Sequence, residues 1–144
     1  MQLTCFAFNN RDELPPRYKG NINPPLSIAG VPENAKSLAL IMHDPDGVSG
    51  DYIHWTIWDI PPTTTEILEG NPPANALEGL TSAGKPGYIG PKPPHGSGAH
   101  RYTFELFALD EPLDLLPTAS LDTLRISINE HKIASTSLIG VAHA

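Results

Sequence analysis

Three short segments carry side chains able to hold an anion, ligate a metal or move a proton. They are His43-Asp44-Pro45-Asp46-Gly47, His54-Trp55, and residues 87–102, which read Gly-Tyr-Ile-Gly-Pro-Lys-Pro-Pro-His-Gly-Ser-Gly-Ala-His-Arg-Tyr. Imidazoles donate N–H bonds and supply charge when protonated, and a tyrosine adds an O–H donor. His54, His100 and Tyr102 supply these groups, so the set suits a phosphoryl or carboxylate ligand. Asp44 alone would repel an anion. It is expected instead to accept a hydrogen bond from one histidine, fixing its tautomer and favouring its charged form. Anion binding would then strengthen as pH falls through the histidine range. In the third segment proline fixes φ and removes N–H groups, while glycine reaches φ values that other residues avoid. Such a loop holds an unusual path and leaves backbone N–H groups, around Gly90 first of all, free to face a ligand.

Each residue also has a plainer role open to it. Asp-Pro-Asp-Gly is a common turn sequence in which Asp44 caps its own turn. His54 can be a strand histidine bonded to a neighbour, and Arg101 a partner in a surface ion pair. Acid–base or hydrolytic chemistry by Asp44, His54, His100 and Tyr102 is the alternative activity. Gly96-Ser97-Gly98, however, lacks the Gly-x-Ser-x-Gly pattern of a nucleophile elbow, and Cys5 stands apart from these motifs. His43, His54, His95, His100 and Asp44 are metal-ligand types without His-x-x-x-His or Cys-x-x-Cys spacing. Neither a dedicated metal site nor a cofactor is expected.

The elements that must position these groups are mostly strands. Leu38–Met42 is a continuous apolar run suited to a strand buried on both faces. His54–Ile60 is aromatic and β-branched and stops at Pro61-Pro62. Arg101–Leu109 alternates, with Tyr102, Phe104, Leu106 and Ala108 on one face and Thr103, Glu105, Phe107 and Leu109 on the other. Ser135–Val141 reads as a short closing strand. One helix is predicted after Ser120: the serine caps it, Asp122 favours its first turn, and Leu121, Leu124 and Ile128 share a stripe. The expected fold is mainly β, a sandwich of two antiparallel sheets with one or two short peripheral helices; a closed barrel is the alternative.

Composition narrows the partners. A chain of 144 residues, 40% hydrophobic and 17% charged, suits a single globular domain over residues 1–144. Its 16 prolines and 12 glycines argue for many turns. A net charge of −7 disfavours nucleic acid and anionic membrane surfaces, which both require a cationic face. The single Cys5 cannot form an internal disulfide. No apolar run approaches the roughly 18–20 residues of a membrane span, so no stable insertion is expected. The opening Met-Gln-Leu-Thr-Cys-Phe-Ala-Phe lacks a basic n-region, which predicts a cytoplasmic protein.

Taken in order, the motifs resemble the phosphatidylethanolamine-binding protein family, including its bacterial and archaeal Raf-kinase-inhibitor-like members. The resemblance runs through Asn23-Pro24-Pro25-Leu26-Ser27, Gly30-Val31-Pro32-Glu33, Lys36–Leu40, Asp44-Pro45-Asp46, His54-Trp55, Gly87-Tyr88-x-Gly90-Pro91-x-Pro93-Pro94-x-Gly96 and His100-Arg101-Tyr102. It implies a two-sheet sandwich with a small anion pocket formed by Asp44, His54, Gly90, Pro93, Pro94, His100 and Tyr102, with Tyr52 at its mouth. It also implies binding to other proteins, such as kinases or proteases, and a homodimer. Tyr18, Tyr52 and Tyr88 are the aromatics expected to be exposed for such contacts. Lys92 stands where many prokaryotic relatives have cysteine, and a chain ending at Ala144 lacks the longer C-terminal helix of eukaryotic members. A more open site is expected.

Overall fold

The computed structural model describes residues Met1–Ala144. Eight strands build two antiparallel sheets: β1 Gln2–Thr4, β2 Leu26–Ala29, β3 Ser37–Asp44, β4 Tyr52–Ile60, β5 Glu66–Ile67, β6 Leu77–Glu78, β7 His100–Leu109 and β8 Lys132–Ala142. The larger sheet runs β6-β4-β3-β7-β8 and the smaller β1-β2-β5. One helix, α1 (Leu121–His131), and a 3₁₀ turn at Pro16–Lys19 complete the chain. The two sheets are separate, so the sandwich reading holds and the closed barrel does not. No helix is long and apolar enough to cross a membrane.

β3 is the central strand, and its unbroken apolar sequence follows from having both faces covered. Leu38, Leu40 and Met42 face the main core with Trp55, Ile57, Tyr102, Phe104, Leu106 and Ala108, and the small sheet closes that core through Leu3, Leu26, Ile28 and Ile67. Ala39 and Ile41 turn the other way, joining Phe107 and Leu109 against Leu124 and Ile128 of α1. The Ser120 side chain accepts from Thr123 N at 3.1 Å, capping the helix as its sequence indicates. The order is small sheet, large sheet, helix.

Two expectations change. The closing strand is Lys132–Ala142 rather than Ser135–Val141. It pairs with all of β7, from His100↔Ala142 to Leu109↔Lys132. Its half-exposed Ser and Thr positions carry little hydrophobic signal, so its length comes from the partner strand. Tyr18 and Tyr88 are also buried rather than exposed, because the Tyr88 hydroxyl donates to the Tyr18 carbonyl at 2.7 Å inside the main core. Tyr52 alone of the three is exposed, at 38%.

Phe104 lies fully buried at the centre of the main core. Phe104→Ala should cost about 3–5 kcal/mol. In urea titrations this appears as a large fall in midpoint with an unchanged slope; a loss below about 1 kcal/mol would contradict the core assignment.

Candidate functional site

At one end of the large sheet, the close of β3, the start of β4 and the start of β7 meet. Antiparallel pairing sets His43 opposite Thr103 and Met42 opposite Phe104, which places Asp44, His100 and Tyr102 on the main-core face. His54 reaches the same place by a β-bulge. Met42 pairs with Trp55 while His43 pairs with Ile53, so His54 is the extra residue on β4. The bulge sends Ile53 to the helix-side core while His54 joins Tyr52, with ring centroids 4.9 Å apart. Tyr102 meets His54 edge-on at 5.3 Å and stacks with His100 at 6.2 Å.

These residues line a cavity of about 570 Å³, together with Gly90, Lys92, Pro93, Pro94 and the 47–51 turn. All eight predicted site residues, Asp44, Tyr52, His54, Gly90, Pro93, Pro94, His100 and Tyr102, lie on its wall. Asp44 fills both roles considered for it. Its Oδ1 accepts from Asp46 N at 2.9 Å, capping its own turn, while its Oδ2 accepts from His100 Nδ1 at 2.7 Å. Arg101 makes the anticipated ion pair, donating to Asp46 at 2.8 Å and holding that carboxyl down to about 2.

The stretch 87–90 is stitched on two sides. Ile89 N donates to the His54 carbonyl at 3.0 Å, and His54 Nδ1 lies 2.6 Å from the Ile89 carbonyl. A carbonyl only accepts, so Nδ1 carries the hydrogen and neutral His54 presents a bare Nε2. That nitrogen has no partner in the protein and is not sealed from solvent. Burial pulls the His54 imidazole below the ordinary histidine range, although the Ile89 carbonyl and Asp44 favour its charged form. Burial, reinforced by the Asp44 charge, pushes the Tyr102 hydroxyl up, so it remains a donor at neutral pH.

A model of the phosphatidylethanolamine-binding protein family matches residues 5–143. The chain belongs to that family. It is 45% identical to a UPF0098 protein of Methanothermobacter thermautotrophicus, over 98% of this chain and 97% of that one. Among solved structures, a phosphatidylethanolamine-binding protein homologue from Chlamydia trachomatis superposes with a TM-score of 0.92 at 35% identity, covering 99% of this chain and 96% of the other. YbcL of E. coli gives 0.93 at 28% identity, covering 99% and 98%.

Within this family fold, Gly90 is not the free donor expected of it. Its N–H is spent on the Gly20 carbonyl at 2.8 Å. A Cβ there would collide with backbone atoms of Tyr18, Lys19 and Gly20, so the glycine permits a close approach between two chain segments. Gly90 is a wall.

Ser97 was absent from the sequence-derived site. Its Oγ lies 2.9 Å from His100 Nε2, and its hydroxyl donates to the Pro94 carbonyl at 2.6 Å. A serine exactly three residues before a site histidine, in a glycine-rich turn, was the available signal. Ser97, His100 and Asp44 thus stand in the order of nucleophile, base and orienter. Hydrogen counting separates this line from a hydrolase. The Ser97 hydroxyl is directed at the Pro94 carbonyl, so Oγ faces His100 Nε2 as an acceptor and its proton is not aimed at the ring.

The metal alternative finds no convergent ligand set, since no three His, Cys, Asp or Glu side chains gather in a suitable group. His43 faces the opposite side of the sheet, with Nδ1 2.7 Å from Asp51 and Nε2 2.6 Å from Glu105 Oε1, out of line for a hydrogen bond. Arg125 of α1 reaches Asp51 at 3.3 Å. Burial opposes the His43 charge, yet the two carboxylates outweigh it and raise its pKa above the ordinary 6.5, while His43 lowers Glu105. Cys5 is buried, and burial pushes its thiol up, away from a reactive role.

Two predictions follow from this geometry. Because His43 is raised on folding, its stabilisation is complete below the unfolded value and is lost as pH rises through the folded one. The Glu105 half runs the other way, lost as pH falls through its lowered value. His43→Gln should therefore cost about 1 kcal/mol near pH 6, and the difference from wild type should shrink above pH 7; a constant difference across chemical melts would refute the ion-pair reading. Gly90→Ala should cost about 1–3 kcal/mol through backbone overlap, measured by the same melts; wild-type stability would show that the approach is not tight.

Proposed function

We propose that this cavity reversibly binds a small oxyanion-bearing ligand, a phosphoryl group being the best fit. The observation that carries the reading is the unpartnered Nε2 of His54, held toward the cavity by the Ile89 carbonyl. When that nitrogen is protonated it becomes a charge-assisted donor, roughly twice as strong as a neutral one. Tyr102 adds a hydroxyl, and Lys92 on the rim adds a mobile cation. Asp44 does not oppose the ligand as a bare charge would, because His100 already balances it at 2.7 Å. The membership in a family of binding proteins and the hydrogen count at Ser97 both favour binding over hydrolysis.

The pH dependence has a definite sign. His54 is neutral above a depressed titration point, and an N–H···anion bond requires uptake of one proton. Affinity should rise as pH falls below about 6.5. Sulfate is the cleanest probe, since its own charge is constant over this range. Titration calorimetry from pH 5.0 to 8.5 should show sulfate binding tightest at the acid end. His54→Ala should weaken it about tenfold or more, the worth of a hydrogen bond to a charged group. Affinity that is flat or rises with pH, or is indifferent to His54→Ala, would sink the reading.

A further inference from the structure

His100 lines the cavity, yet neither of its ring nitrogens is available. Nδ1 is held by Asp44 at 2.7 Å and Nε2 by Ser97 at 2.9 Å, and the side chain is 2% exposed. The second contact differs from the first in how it is held. Asp44 is buried at the end of β3, whereas Ser97 sits on an exposed turn with no sheet bonds of its own. On either side of it, Gly96 and Gly98 adopt φ of 81° and 80°, and open space surrounds the place where each Cβ would be. Besides His100, the turn is tied only to Pro94, through Ser97 N at 3.1 Å and Ser97 Oγ at 2.6 Å. It is a light latch on a buried donor.

We infer that Ser97 is an internal substitute for a ligand oxygen, occupying the His100 Nε2–H until an oxyanion displaces it. A hydroxyl oxygen in this place satisfies a donor that would otherwise be buried unpaired. A sulfate or phosphoryl oxygen makes a stronger, charge-assisted bond to the same N–H. Displacement requires only rotation of the Ser97 side chain or a shift of a turn that two glycines leave free of side-chain obstruction. The Asp44–His100 contact stays in place and continues to orient the ring. Binding therefore engages His54 directly and His100 by exchange, and Ser97 sets the threshold a ligand must exceed. Ligands with a single weak acceptor cannot displace it; oxyanions can.

This inference rests on the anion-binding reading above, and one pair of proteins separates the two. Ser97→Ala takes the protein partner from a buried ring nitrogen, so the variant should melt somewhat below wild type while remaining folded. It frees Nε2–H, so sulfate should bind about fivefold more tightly, the worth of one released competing hydrogen bond. In ¹⁵N-imidazole spectra of the wild type, sulfate should shift the His100 Nε2 signal; in the variant that signal should be displaced before any sulfate is added. If wild type binds sulfate and Ser97→Ala binds it equally or less well, the latch is wrong and Ser97 is a positioning residue or a direct ligand. If neither protein binds sulfate while both remain folded, the anion reading fails and the latch with it. Binding by the variant alone supports both.

Discussion

Everything at the cavity depends on the buried contact between Asp44 and His100. It ties the last residue of β3 to the first residue of β7, the two strands that form the middle of the large sheet. Removing one member of such a pair leaves an uncompensated polar group in a place with little water, a loss of about 3–5 kcal/mol in comparable sites. The same carboxylate caps the turn that carries Asp46, and Asp46 in turn anchors Arg101, the neighbour of His100. One aspartate thus connects turn, strand end and ring, and its charge is balanced before any ligand arrives.

The opposite wall is rigid for a different reason. Residues 88–90 are tied to β4 through Ile89 N and to the 18–20 turn through Gly90 N and the Tyr88 hydroxyl. His54 gains from this arrangement a tautomer fixed by the Ile89 carbonyl, while burial depresses its affinity for protons. The two site histidines are consequently unlike. His100 is paired on both sides, while His54 keeps one nitrogen free. Behind the sheet, His43, Asp51 and Arg125 link the cavity's rim turn to the helix, so the rim is braced from the face that carries no ligand groups.

Much of this was legible in the chain. The apolar run at 38–42, the alternation of 101–109 and the Ser120 cap are local signals, and each became the expected element because its period matched the surface it covers. The eight cavity residues were named by residue type and motif, and they do share one wall. Their individual duties were less visible. Gly90 was read as wall within a loop offering an N–H; the wall holds, but its own N–H is spent on Gly20, some seventy residues away. Tyr18 and Tyr88 were expected on the surface and are buried because each covers the other. Lys132–Ala134 follows directly on the helix with no turn signal between them, and its pairing with Ala108 and Leu109 of β7 makes it strand.

The sequence by itself determined the class of fold, the identity of the polar groups and their order along the chain, because periodicity and residue chemistry are properties of short windows. Tertiary structure decided which ring nitrogens are occupied, both of those on His100 and only Nδ1 on His54. That choice rests on a bulge at His54, on a carbonyl at Ile89 and on the carboxylate of Asp44, contacts that exist only once distant strands are in register, and on a turn that folds Ser97 back onto His100. A hydrogen bond has a direction and a length that no pattern of residue types contains.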